Sequence, residues 1–274
     1  MKADTRTWLG GAGLVLAFIL IWARDSHWMN AASDTLPLVM GVPLAVLFGH
    51  PWKRENQPAT PLARWLAVLG TAGISAGWLL GSLTILAFTW TLLAMLWARH
   101  SFRKESRRGR LGWLLLLSFP WMVTEWQSIG LAFRISSAAV AEFLFGILNM
   151  PVSRQGTSLS VMGVPIEIEA ACAGWNLLQL TLLAGAAFGT HEIHSTRRFC
   201  VFMCLLPAIA WMANLMRILV LSGVALSFDT QVAAGTIHGL TGLAILGVVL
   251  AMTKGLCVLI DPPLGESRRI VKAP

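Results

Sequence analysis

Charge is scarce in this chain. Only 12% of its 274 residues are Asp, Glu, Lys or Arg, tyrosine is absent, and there are four cysteines. So few charges cannot clothe the surface of a soluble domain of this length, and soluble folds are excluded. Four cysteines, Cys172, Cys200, Cys204 and Cys257, give no disulfide framework. Cys200 and Cys204 stand four apart, yet no His or Cys partner completes a metal-ligand set. No metal and no cofactor is expected. The lack of tyrosine leaves tryptophan to anchor helix ends, and Trp22, Trp28, Trp52, Trp65, Trp97, Trp113 and Trp126 stand near such ends.

What is present is apolar length. Hydrophobic residues make up 56% of the chain, in runs matching the roughly 20 helical residues that cross a bilayer. With no water to satisfy backbone groups there, closed helices are the spanning structure. The expected fold is an all-α polytopic membrane protein of about eight transmembrane helices, with an external interfacial helix and a small hairpin before the sixth span. The net charge of +8 comes from short basic loops between apolar runs, above all Arg99 to Arg110. Basic loops mark the cytoplasmic side, next to anionic lipid. Membrane lipid is therefore the expected partner, and nucleic acid is not.

The basic loops order the chain as a single membrane domain. Residues 1–128 carry five spans: the run from Trp8 to Ala23, then about 35–50, two within 62–98 joined by a tight turn near Gly81, and about 111–128. A cleaved signal peptide is the alternative for the first, disfavoured because no small-x-small site follows it. Segment 129–169 is external. Arg134 and Glu142 cost about 2.5 to 3.5 kcal/mol each in mid-membrane, so 129–150 is read as an amphipathic helix in the interface. Residues 151–168, punctuated by Pro151, Gly156, Gly163 and Pro165, read as a hairpin. Residues 170–262 hold three spans, about 170–190, 199–226 with a kink at Pro207, and 236–260. Residues 263–274 form a cytoplasmic tail. Both termini lie inside.

This parity brings three residues to one depth at the outer face. Cys172 opens the sixth span, Arg217 lies in the outer half of the seventh, and His238 opens the eighth. Singly each has a plain reading: Cys172 as a small packing residue between Ala171 and Gly174, Arg217 as a side chain snorkelling to the interface, His238 as an interfacial loop histidine. Together a nucleophile, a cation and a proton shuttle suit acyl transfer. An arginine with apolar residues on both sides is a functional site by default. A first-turn cysteine has a helix dipole that favours the thiolate. Asn214, one turn before Arg217 on the same face, can hold the guanidinium or line the pocket. Glu167 and Glu169 are read as solvated hairpin residues, with a catalytic carboxylate as the alternative. His191 and His194 are read as inner-loop residues.

Three pieces in order, Ala171-Cys172-Ala173-Gly174, Asn214-Leu215-Met216-Arg217 and His238, make residues 130 to 260 resemble the exosortase/archaeosortase family of membrane transpeptidases. The family usually reads A-C-S-G-L-R at the cysteine. Here Ala173, Trp175 and Asn176 replace the serine, leucine and arginine, as in a divergent subfamily. Asn176 still faces the cysteine at i+4, as an uncharged supporting residue. The resemblance implies a cysteine protease or transpeptidase in a bacterial or archaeal inner membrane, working at the periplasmic face. Its implied substrates are exported proteins with a C-terminal sorting signal: a short motif, one transmembrane helix and a basic tail. A transporter whose polar path is lined by Arg217 and His238, or a catalytically silent scaffold, is the alternative.

Overall fold

The computed structural model describes residues 3–24, 32–55, 58–102, 108–167, 175–228 and 236–262. They form two compact units, Met1–Gln127 and Ser128–Pro274. Among the described residues five helical stretches are long and apolar enough to cross a membrane: Pro61–Leu80, Leu83–Ser101, Gly130–Ile147, Thr196–Ser227 and Gly239–Ile260. Shorter apolar helical stretches run Trp8–Ala23 and Leu36–Phe48. A polytopic, largely helical membrane protein is thus what the chain builds.

The first unit contains α1 (Ala3–Ala23), α2 (Ala32–Phe48), α3 (Pro61–Leu80), α4 (Leu83–Ser101), α5 (Leu111–Leu117) and α6 (Trp121–Glu125). Thr60 caps α3 by accepting the Ala63 N–H, with Pro61 at the position where a missing donor costs nothing. Gly81, at φ 73°, ends α3 in the left-handed conformation and makes the expected tight turn. Ser82 then caps α4, and the Glu125 carboxylate accepts the Leu83 and Thr84 N–H groups. Along the α3–α4 seam Gly70 and Gly77 admit Leu93 and Leu86 to within about van der Waals contact of the backbone, as small residues do between membrane helices. Phe18 of α1 packs on Trp90 of α4 and on Phe119, with ring centroids 4.9 and 5.2 Å away.

The fifth span was expected as one helix over about 111–128. It is broken instead: α5 stops at Leu117 and α6 restarts at Trp121. Pro120 has no N–H to continue the ladder and disfavours helical geometry at Phe119. The Ser118 hydroxyl caps the break by donating to the Leu114 carbonyl at 2.7 Å.

The second unit starts from α7 (Gln127–Ile147) and a sheet of β1 (Val152–Gln155), β2 (Ser158–Val161) and β3 (Val164–Glu167). The single hairpin expected at 151–168 is therefore a three-stranded antiparallel meander. Two tight turns explain the extra strand. Gly156 has φ 62° at the first, and Met162 and Gly163 have φ 51° and 83° at the second, as two-residue hairpin turns require. Leu159 and Val161 press one face of this sheet onto Ala138, Ala141 and Phe145 of α7 and onto Ile218 of the helix that follows in the bundle. Glu142 of α7, expected to be costly in a membrane, is neutralised by Arg154 of β1, Nε to Oε2 2.8 Å. Α7 therefore combines a charge pair at the sheet with an apolar length that can also cross a bilayer.

Three helices complete the unit: α8 (Trp175–Glu192), α9 (Thr196–Ser227) and α10 (Thr236–Ile260), each packed on the other two. Gly189 faces Phe199 and Phe202 of α9, and Gly185 faces Leu206, so α8 and α9 run antiparallel from a three-residue turn. Over its described residues α8 is not one of the helices long and apolar enough to cross a membrane. It instead buries Gln179, Thr181 and Thr190 inside the unit. The 32 residues of α9 extend about 48 Å, more than the roughly 30 Å of a hydrocarbon core.

Candidate functional site

The three-helix core has two polar ends. At the end where α8 turns into α9, Asp261 follows the last residue of α10. Its carboxylate accepts the His194 backbone N–H at 2.7 Å and the Arg198 Nη1 at 2.7 Å. The His194 amide, opposed by partial burial and helped by Arg198, holds this carboxyl below its ordinary value of 3.8. Lys254 of α10 pairs with Glu192 of α8 beside it. This end fastens α10 to the α8–α9 turn.

Moving away from that end, the helices close in an apolar layer. Ala213 of α9, Ile245 and Val249 of α10 are buried together, with Leu177 from the first turn of α8 against them. One turn further along α9 comes Arg217, half-buried, with its Nε inside the protein. A side-chain carbon placed on Gly242 of α10 would stand 3.7 Å from its Nη2. The guanidinium thus lies beside α10 at Gly242, with room for a methyl between them, one turn after His238 along the helix. Asn214, three residues before Arg217, is fully buried.

Of the five residues that the sequence points to, Arg217 and Asn214 are thus described in full. His238 lies in the first turn of α10, and its side chain is outside the described residues, as is that of Asn176 in the first turn of α8. Cys172 is outside the described residues. The structure brings Arg217 beside α10, one turn after His238. Cys200 and Cys204 are exposed on α9 and Cys257 is buried on α10, at the fastened end of the core. Among the described residues, no group of His, Cys, Asp and Glu could hold a metal ion.

Spacing alone missed Gly242 as a site residue. Its signal was present in the Gly239 and Gly242 pair beside His238, where missing side chains admit a close neighbour. A family model described as transmembrane exosortase matches residues 3–255. No curated protein and no solved structure matches the chain.

Proposed function

The chain belongs to the transmembrane exosortase family, and from that premise we propose that it is a membrane cysteine transpeptidase acting through Cys172, Arg217 and His238. The observation that carries the reading is the seat of the Arg217 guanidinium beside Gly242, one turn from His238. Register adds support on the cysteine side. Gly189 meets Phe202, Gly185 meets Leu206, and Leu177 packs against the cluster that holds Ala213. Cys172 precedes Leu177 by five residues in the sequence, and its action at the Arg217 level is part of the proposal.

Depth supports it too. From the fastened end, Arg198 to Arg217, Ile260 to His238 and Glu192 to Trp175 are about 29, 33 and 26 Å at 1.5 Å per residue. Each is close to the roughly 30 Å of a hydrocarbon core. With Arg197 and Arg198 at the cytoplasmic interface, the site falls at the opposite, periplasmic border, and both termini stay inside. There a protein threaded through the membrane would present the residues just before its anchor helix.

In this mechanism the Cys172 thiolate attacks the scissile carbonyl carbon, forming a C–S bond and an oxyanion. A cation beside a thiol favours the thiolate, and Arg217 supplies it. The same charge stabilises the oxyanion. Collapse breaks the C–N bond, and His238 delivers to the departing amine the proton it took from the thiol. The anchor peptide leaves and a thioester remains. An acceptor nucleophile then attacks the thioester, gives its proton to His238, and regenerates the thiol. Substrates of this reading are exported proteins ending in a sorting motif, one transmembrane helix and a basic tail, and Asn176 and Asn214 line their path.

The test is processing of a co-expressed tagged protein with such a tail. Cys172→Ala is expected to abolish cleavage while the variant accumulates in the membrane at wild-type level. Full processing by that variant sinks the thiol mechanism. An impermeant maleimide added from the periplasmic side is expected to label Cys172; labelling only after the membrane is opened contradicts the proposed orientation.

A further inference from the structure

Buried polar atoms without a hydrogen-bond partner are rare in folded proteins, and each one points to strain or to a group that arrives later. Among the described residues half of those here are hydroxyls, such as Ser137, Thr190 and Ser222. A helical hydroxyl has a low-cost remedy, since it can rotate onto the carbonyl four residues back, as Ser118, Thr181 and Ser227 do. Asn214 has no such remedy. It is fully buried, and both atoms of its amide, the Oδ1 acceptor and the Nδ2 donor, lack a partner among the described residues.

Its position says what it is kept for. Ala213 beside it closes the apolar layer with Leu177, Ile245 and Val249. Asn214 therefore stands at the boundary where the apolar core ends and the Arg217 level begins, three residues from Arg217 and on the same side of α9. A dry amide offering one donor and one acceptor complements a peptide group, which offers the same pair in reverse.

We infer that Asn214 binds the scissile peptide group directly, its Nδ2 donating to the carbonyl oxygen that becomes the oxyanion in partnership with the Arg217 charge. This rests on the thiol-transpeptidase reading above and assigns a second donor to that site. Arg217 contributes charge from a long stem, and Asn214 contributes a neutral donor from a short, fully buried one. The unspent hydrogen bonds of the resting protein are then spent on the substrate, most strongly where charge develops.

The deciding variant is Asn214→Leu, nearly the same in shape and without polar atoms. A purely structural amide would be hydrogen-bonded within the fold, and its replacement would lower the melting temperature. An amide reserved for substrate is an unpaid desolvation in the resting protein, so its removal leaves melting unchanged or raises it. The expected result for the full-length protein in detergent is a melting temperature at or above wild type, unchanged Cys172 alkylation, and cleavage slower by about 10²- to 10³-fold, the usual effect of losing one oxyanion donor. A lowered melting temperature, or cleavage within a few-fold of wild type, overturns the inference. Cys172→Ala runs beside it in the same assay. If Cys172→Ala still cleaves, the thiol reading has failed; if Cys172→Ala is dead and Asn214→Leu active, only the role of Asn214 has.

Discussion

The two ends of the α8–α9–α10 core use polar residues in opposite ways. At one end Asp261, His194, Arg198, Glu192 and Lys254 satisfy one another, and little is left for a ligand. At the other, Arg217 lies beside a glycine and Asn214 is buried with its amide unspent. Both ends are charged or polar, so composition cannot tell them apart. Satisfaction can: a polar group whose partners are other residues of the fold fastens, and one whose partners are missing waits for something. The difference teaches that the end proposed for chemistry is the one that looks worse as a fold.

The largest expected effects lie at the end that carries Asn214 and Arg217. Beyond Cys172→Ala, Arg217→Gln should lower cleavage by about 10²- to 10³-fold, with Arg217→Lys in between because it keeps charge and loses the planar fork. Cleavage measured at fixed enzyme level in membranes checks both; an Arg217→Gln variant of wild-type rate would erase the contrast between the ends.

Next comes the packing that joins them. A methyl on Gly185 would overlap Leu206, which is fully buried and cannot swing away. Gly185→Ala should therefore destabilise by about 1 to 3 kcal/mol, the usual cost of overpacking, seen as a lower melting temperature by tryptophan fluorescence. The fastened end gives a smaller, pH-dependent effect. Since the folded protein holds the Asp261 carboxyl below its ordinary value of 3.8, its contribution is present above that pH and fades as acid protonates it. Asp261→Asn should lose stability at neutral pH and show a shallower fall than wild type below about pH 4; parallel acid limbs would remove Asp261 from the fastening. The smallest effect belongs to Gly242→Ala. Its methyl finds ordinary contact space 3.7 Å from Nη2, and alanine favours helix by about 1 kcal/mol. Melting should hold or rise while cleavage falls a few-fold, the reverse of Gly185→Ala.

Much of this was legible in the sequence for a physical reason: in a membrane, apolar length and basic loops fix helices with little help from tertiary context. The Gly81 turn and the bounds of α9 and α10 fell where those signals put them. The break at Ser118 to Pro120 was readable too, since proline forbids the continuing bond, yet the apolar run around it masked the signal. The third strand was hidden because Met162 is an unusual residue for positive φ and only Gly163 advertised the turn. At the site, the Arg217 level could be read from the cost of a charge among apolar neighbours. The empty bonds of Asn214 could not, because they depend on what three other elements fail to offer. Cys172 and the side chain of His238 lie outside the described residues, so their part rests on register and chemistry.

The three-residue turn between α8 and α9 has a consequence for biosynthesis. Left alone in lipid, α8 would expose Gln179, Thr181 and Thr190. Entry together with α9, which follows immediately and is strongly apolar, would keep those groups covered. The short turn keeps the two helices within reach of each other during translation. A flexible insertion between Ile193 and Ser195 would leave every contact of the finished bundle possible and still strand α8 at the insertion machinery.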